Sequence, residues 1–382
     1  MDSEEFIPSR RNVDDFEIVF LSIMTAVAVV LNFMLLTQIL TTSRQPTVRT
    51  SFSTGPYQLN SFTLFKLNLC ISDFFILCFY SLGKIIWLIT YQWRLGDVGC
   101  RMYQFFSAFG FYAHSNIIVA IALDRLKVVY TRHLQGATSV RRVRMMLFCS
   151  WALAALCSIP QAILWTNVEI RDGWHQCVNL LSEYENNTEI GNRKLLAITY
   201  EAFHQANVFW IPVLIIGICY MLIIFKLIHY SIRTKEAVRV VRSNEFDHRE
   251  NSSSQEVMLS PSKQMKKKNK WPIIHSIATS SSDFGDFKKS NTCIHSQGLQ
   301  RCRSLPAWRR QLRSRVFRSA MAVIAAHIAL WLPYNALATL RFIDEHALSS
   351  MSDYGGNFLE DLIVVNSVLN PILYGFELRK AR

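Results

Sequence analysis

Charge is scarce in this sequence: Asp, Glu, Lys and Arg make up 18% of its 382 residues, where ordinary soluble domains carry about 25%. What charge there is leans one way, with 41 Lys and Arg against 28 Asp and Glu and a formal net charge of +13. The apolar residues, 51% of the chain, are gathered into runs, which excludes a conventional water-soluble fold. The sequence also lacks an internal repeat with paired intramembrane charges, the mark of many transporters. His114, His204 and His327 share no metal-like spacing, and Asp73 is the only acid well inside an apolar run, so paired catalytic carboxylates are missing. Neither an enzyme nor a cofactor is expected.

The runs themselves have membrane length. About 20 apolar residues cross the hydrocarbon, because lipid offers no partner for bare backbone groups. Uncharged windows of that kind cover Ile18 to Gln38, Met102 to Leu123, Met145 to Val168, Ala202 to Phe225 and Ser319 to Leu340. Phe62 to Tyr91 carries Lys66, Asp73 and Lys84, and Leu362 to Phe376 is short unless Tyr354 to Glu360 lead into it. Any one window also fits a buried soluble helix, but five in one chain do not. The expectation is an all-α membrane protein of seven spans over residues 18–376. Residues 1–17 are acidic and the first run is too long for a signal-peptide core, so that run is expected to stay in the membrane.

Basic residues in short connections mark the cytoplasmic side. Residues 124–144 hold six bases and one acid, and 226–318 hold 20 bases and 7 acids, whereas 169–201 hold six acids and three bases and 341–361 five acids and one base. The N-terminal segment 1–17 is therefore expected outside, and the short end 377–382 inside. The basic charge then faces membrane lipid and needs no nucleic acid. Residues 232–308, with serine and lysine patches, read as a largely disordered cytoplasmic loop between spans five and six.

This topology sorts the nine cysteines. Cys70, Cys78, Cys149, Cys157 and Cys219 fall in spans, Cys293 and Cys302 in the cytosol, and only Cys100 and Cys177 outside. A disulfide between that pair is expected, pinning the second outer loop over the bundle. Asn186-Asn187-Thr188 in the same loop is a glycosylation sequon at Asn186.

The chain carries Leu67-Asn68-Leu69 with Asp73, Cys100 then Asp124-Arg125, Trp151, Pro212 with Tyr220, Trp331-Leu332-Pro333-Tyr334, and Asn370-Pro371-Ile372-Leu373-Tyr374. In this order and at this spacing it resembles a rhodopsin-like G-protein-coupled receptor from Asn32 to Tyr374. An ionisable residue in hydrocarbon needs polar partners, so Asp73 is expected to meet Asn32, Asn366, Ser367 or Asn370. Pro212, Pro333 and Pro371 each remove a backbone hydrogen bond and kink their helix. The resemblance implies that Asp124 holds Arg125 at rest and that activation releases it towards Tyr220 and the G protein. Leu126 replaces the usual Tyr, and Arg313 stands where some relatives place an acid, so a strong ionic lock between helices is not expected. His114 occupies the place of a serine that helps hold sodium in relatives, which suggests a contact to Asp73 instead of the ion. His327 replaces an aromatic residue one turn before Trp331, and Ser115 an apolar one. Both histidines read equally well as hydrogen-bonded core residues.

Ser107 stands where amine receptors carry an aspartate, and Val364 where opsins carry a retinal-binding lysine, so neither an amine receptor nor a photopigment is expected. Trp87 to Cys100, Ser158-Ile159-Pro160-Gln161 and Gln176-Cys177-Val178 are similar to the gonadotropin-releasing-hormone, adipokinetic-hormone and vasopressin/oxytocin receptor group. That likeness implies a plasma-membrane peptide receptor signalling through a heterotrimeric G protein, Gq first, and arrestin. Candidate ligand contacts are Lys84, Gln104, Ser107, Gln161, His204, Trp331, Tyr334, Asn335 and Arg341, a set suited to an amidated or acidic peptide. Lys84 either meets the ligand or snorkels outward. Arg301-Cys302-Arg303-Ser304-Leu305-Pro306 has the spacing of a phosphosite read by 14-3-3 proteins at Ser304. A receptor for a non-peptide ligand, or a transporter, is the alternative.

Overall fold

The computed structural model describes residues 12–44, 61–131, 137–171, 173–181, 190–229, 315–340 and 358–375. Helix α1 spans Asn12–Arg44, α2 Ser61–Thr90, α3 Gly96–Tyr130 and α4 Ala137–Leu164. Strands β1 (Trp165–Arg171) and β2 (Trp174–Asn179) form an antiparallel hairpin. Then come α5 over residues 190–229, α6 (Arg315–Leu340) and α7 (Phe358–Gly375). The chain divides into two compact units, Met1–Ile224 with Leu312–Arg382, and Phe225–Gln311. Of the second only 225–229, the end of α5, are among the described residues. Arg341, Asn186, Ser304, segment 232–308 and residues 377–382 lie outside them, as does the side chain of Tyr374.

Six helices, all but α7, are long and apolar enough to cross a bilayer. The shorter α7 has 18 residues and carries Glu360 and Asp361 in its first turn. Three boundaries differ from the sequence reading. Helix α1 begins at Asn12, so Glu17 belongs to it; α7 begins at Phe358, so Asp361 belongs to it. The fourth apolar window runs past its helix: α4 stops at Leu164 and residues 165–168 are strand, so the chain is not wholly helical.

The first unit is apolar outside and polar within. Phe33, Phe148 and Met221 are each more than 60% exposed, whereas Asn32, Ser72, Asp73, His114, Asn366, Ser367 and Asn370 are buried. Water would reverse that arrangement, while lipid rewards it. Buried apolar residues form two main layers between the helices. One, around Phe65, Leu69, Ile117, Ile121 and Val323, lies towards the Arg125 end. The other, around Leu77, Tyr112, Phe209, Trp331 and Val364, lies towards the hairpin.

Two helices widen locally into π turns, Ile76–Ser81 in α2 and Ala206–Trp210 in α5. Pro212 follows the second; its ring crowds the carbonyl four residues earlier, that of Val208, and the wider turn takes up the displaced backbone. The first π turn meets α3 at Gly110. A Cβ there would sit 3.2 Å from the Ile76 backbone nitrogen and 3.3 Å from Phe75 Cβ. Backbone cannot swing aside as a side chain can, so Gly110→Ala is expected to part α2 from α3 and destabilise by about 1–3 kcal/mol. The melting midpoint of the purified receptor checks this, with Gly217→Ala, whose Cβ would meet nothing within 4 Å, as the control.

Candidate functional site

The hairpin lies against the start of α3 and the end of α2. Cys100 is joined to Cys177 by a disulfide, Cα to Cα 5.6 Å. Asp97 accepts hydrogen bonds from Thr166 Oγ1 (2.6 Å) and Asn167 N (3.1 Å). Tyr91 caps α2 in the left-handed conformation, at φ 53°. Its carbonyl accepts from Trp174 Nε1 (2.9 Å) and Gln176 Nε2 (2.7 Å), and its hydroxyl donates to Asp14. The hairpin is thus fixed by Asp97 and Cys100 of α3, by the Tyr91 carbonyl after α2, and by Trp87 Nε1 of α2, which donates to Gln176 Oε1 at 2.8 Å.

Beneath it is a cavity of about 670 Å³, within the usual range for ligand sites. Of the residues anticipated for ligand contact, Lys84, Gln104, Ser107, Gln161, His204, Trp331 and Tyr334 all line it. Ser107 Oγ, Gln161 Oε1 and Trp331 Nε1 are buried with no hydrogen-bond partner among the described residues. His204 is tied by its Nδ1 to the Tyr112 hydroxyl at 2.7 Å. Asn335 is not among the lining residues, and its amide nitrogen donates to the Trp331 carbonyl at 2.8 Å. Missing from the sequence reading are Trp87, Tyr103, Trp165, Trp174, Glu201 and Glu360, which also line the cavity. Their cue was present for the two acids, in the acidic excess of segments 169–201 and 341–361.

The ammonium of Lys84, which lines the cavity, is turned to acids of α1 and α7. It lies 2.8 Å from Glu17 Oε1 and 2.7 Å from Asp361 Oδ1, with Glu360 Oε2 at 3.8 Å. The Tyr80 hydroxyl donates to the same Asp361 oxygen at 3.1 Å. Glu17 and Asp361 are almost wholly buried, so one lysine joins α1, α2 and α7 through acids that the apolar windows had assigned to the flanks.

The polar core sits farther into the bundle. Asp73 accepts hydrogen bonds from Ser367 Oγ at 2.9 Å and Asn370 Nδ2 at 3.0 Å, and His114 Nδ1 lies 3.3 Å from it. Asn366 meets the other ring nitrogen of His114 at 2.9 Å, and Asn32 donates to the Ser367 carbonyl at 2.8 Å. Of the four partners expected for Asp73, two reach it directly and two support its neighbours. His327 differs from His114. It is fully buried, 5.4 Å from His114 and 4.9 Å from Trp331 between ring centroids, and neither of its nitrogens has a partner among the described residues.

At the end away from the hairpin, Arg125 Nη2 donates to Asp124 Oδ2 at 2.5 Å, and the guanidinium lies 5.6 Å from the Phe62 ring. Asp124 has a second partner that sequence reasoning missed, Arg142 of α4 at 2.7 Å. No acid of α6 reaches Arg125 among the described residues. The Tyr220 hydroxyl is buried and also has no partner among them. Asn68 accepts from Trp151 Nε1 at 2.8 Å and links α2 to α4. Pro333 and Pro371 lie within α6 and α7.

A bundle of apolar helices with a polar core, a hairpin-covered cavity at one end and an Asp-Arg pair at the other defines a membrane receptor. Residues 32–374 match the 7 transmembrane receptor (rhodopsin family), and the chain belongs to that family. It is a G-protein-coupled receptor, a multi-pass protein of the plasma membrane and not an enzyme. The chain is similar to the G-protein coupled receptor daf-38 of Caenorhabditis elegans, 28% identical over 82% of this chain and 80% of that receptor. It is 30% identical to the gonadotropin-releasing hormone receptor of Octopus vulgaris over 43% of this chain and 39% of the octopus protein. Cephalotocin receptor 1 of the same animal is 28% identical, over 42% and 37%.

Proposed function

We propose that this receptor binds an amidated extracellular peptide in the cavity beneath the hairpin and passes the event to a heterotrimeric G protein at the Arg125 end. The observation that carries the reading is the unpartnered polar lining. Trp165 and Trp331 offer buried indole N–H donors and Gln161 and Ser107 offer acceptors, a mixture that suits alternating backbone carbonyls and amides. Aromatic walls around such points are typical of ligand sites. Lys84 already faces carboxylates, which argues against an acidic ligand group. The peptide-hormone names of two relatives support the ligand class.

In this reading the N-terminus and hairpin face outward, the C-terminus faces the cytoplasm, and Asn186 is glycosylated. Peptide binding favours the packing in which α6 moves away at the cytoplasmic end, and Arg125 leaves Asp124 for Tyr220 and the G protein, of the Gq class. Arrestin binds the same active packing, phosphorylated Ser304 recruits 14-3-3, and the basic loop meets anionic lipid. The test is cytosolic calcium in expressing cells challenged with amidated neuropeptides of the three related hormone groups. A dose-dependent response to one group, lost in Arg125→Ala at unchanged surface expression, supports the reading. Silence from a well-expressed receptor in calcium, cyclic-AMP and arrestin readouts sinks it.

His114 beside Asp73 carries its own expectation. With His114 Nδ1 3.3 Å from that carboxylate, His114 in this reading takes the place that relatives give to sodium. Agonist affinity is therefore expected to be the same in sodium and choline buffers, and His114→Ser to introduce sodium dependence. Sodium-sensitive binding by the unaltered receptor would remove His114 from this role.

A further inference from the structure

We propose that the ligand carries a positive charge, an ammonium or guanidinium group, and that Glu360 of α7 and Glu201 of α5 are the carboxylates that receive it. The inference rests on the cavity being the ligand site and specifies what enters it. Among the described residues, three formally charged side chains line the cavity: Lys84, Glu201 and Glu360. Lys84 adds no positive field of its own, since Glu17 and Asp361 stand at 2.8 and 2.7 Å behind it. By formal charge the ammonium and those two carboxylates amount to one negative, and Glu360 and Glu201 bring the described groups to three. An anionic ligand group would have to displace a buried carboxylate from Lys84, leaving an uncompensated charge away from water. A cation meets no such penalty.

The uncharged lining favours the same chemistry. Gln161 Oε1 and Ser107 Oγ are unpartnered among the described residues, and both residues are more than nine-tenths buried. Each can accept a hydrogen bond from an ammonium or guanidinium N–H. Trp87, Tyr103 and Tyr334 add aromatic faces, which attract cations through the ring quadrupole. Glu360 is the primary partner: its side chain is 31% exposed, and its contact with Lys84, at 3.8 Å, is the longest of the three. Glu201 accepts only a 3.2 Å bond from Gln205 among the described residues.

The field in the cavity is measurable without knowing the ligand. A reporter cysteine is introduced by Gln104→Cys, or by Leu88→Cys as an independent second position. Its modification is timed on the full receptor in membranes with a trimethylammonium-ethyl and a sulfonato-ethyl methanethiosulfonate. The receptor without the reporter gives the background. Relative to the same two reagents on a free thiol, the cationic one is expected to be favoured by about tenfold or more. Glu360→Gln with Glu201→Gln should return the ratio towards that of the free thiol. A ratio no higher than the free thiol at both positions, or one that the glutamines leave unmoved, overturns the proposal. Neither result bears on whether a peptide activates the receptor, which the calcium response decides separately. For any peptide that does activate it, replacing its Lys or Arg by norleucine should reduce potency at least about tenfold in the unaltered receptor and much less in Glu360→Gln.

Discussion

Lys84→Met is expected to remove most receptor from the cell surface and to lower the melting midpoint of what remains. The substitution takes away the ammonium but leaves Glu17 and Asp361 buried in the bundle. Breaking a buried pair from one side typically costs about 3–5 kcal/mol, since the stranded charge has neither water nor partner. Here one change takes the ammonium from two acids, and Asp361 retains the Tyr80 hydroxyl. Lys84→Met combined with Glu17→Gln and Asp361→Asn should recover much of the loss, because removing all the charges spares the desolvation that the pairing had offset. Surface immunolabelling and thermal unfolding in detergent check both. Normal expression and melting of Lys84→Met alone would mean that the cluster does not hold α1, α2 and α7 together.

Cys177→Ser is expected to have an effect of comparable size at the hairpin. The disulfide closes a loop with a sequence separation of 77, for which loop entropy alone gives about 4 kcal/mol, subject to whatever contacts the reduced chain retains. Those contacts are identifiable: Asp97 still holds Thr166 and Asn167, and the Tyr91 carbonyl still holds Trp174 and Gln176. Unfolding should therefore fall short of the full figure, while peptide potency falls because the lining residue Trp165, held by none of those bonds, is no longer pinned over the cavity. Asp97→Asn should change the melting midpoint little, since Asp97 itself is exposed and such contacts are worth under about 1 kcal/mol. Unaltered peptide potency in Cys177→Ser would show that the hairpin is not part of the site.

Much of this architecture follows from reading hydropathy and charge together. Asp73 announces a polar core because a carboxylate in hydrocarbon demands partners, and Ser367 and Asn370 are the ones that reach it. The Cys100–Cys177 disulfide follows from sorting cysteines by side of the membrane. Glu17 and Asp361 escaped the same logic because a hydropathy window ends where charge begins, whereas the helices continue for a turn or more beyond it. What neutralises those acids is Lys84, 67 residues from one and 277 from the other, a pairing that exists only once α1, α2 and α7 are packed. The hairpin was hidden for a different reason: apolar content alone does not separate the last turn of a helix from the first residues of a strand, and the window continued through Leu164 into β1. Asn335 shows the limit for side chains. Its position on α6 adjoins the cavity residue Tyr334, but the rotation of the helix and its bond to the Trp331 carbonyl turn it elsewhere.

The reciprocal demands of linkage make the pair Asp124 and Arg125 consequential beyond its own energy. If peptide favours the packing that binds the G protein, bound G protein must tighten peptide binding by the same factor. The measurement that reaches the central claim most directly is peptide-stimulated nucleotide exchange on purified Gq, Gi and Gs heterotrimers reconstituted with this receptor in bilayers, alongside Arg125→Ala. The expected result is exchange on Gq that rises with an amidated, positively charged peptide, higher peptide affinity when nucleotide-free Gq is bound, and neither effect in Arg125→Ala. Peptide that binds without accelerating exchange on any heterotrimer, or exchange that Arg125→Ala leaves intact, would contradict it.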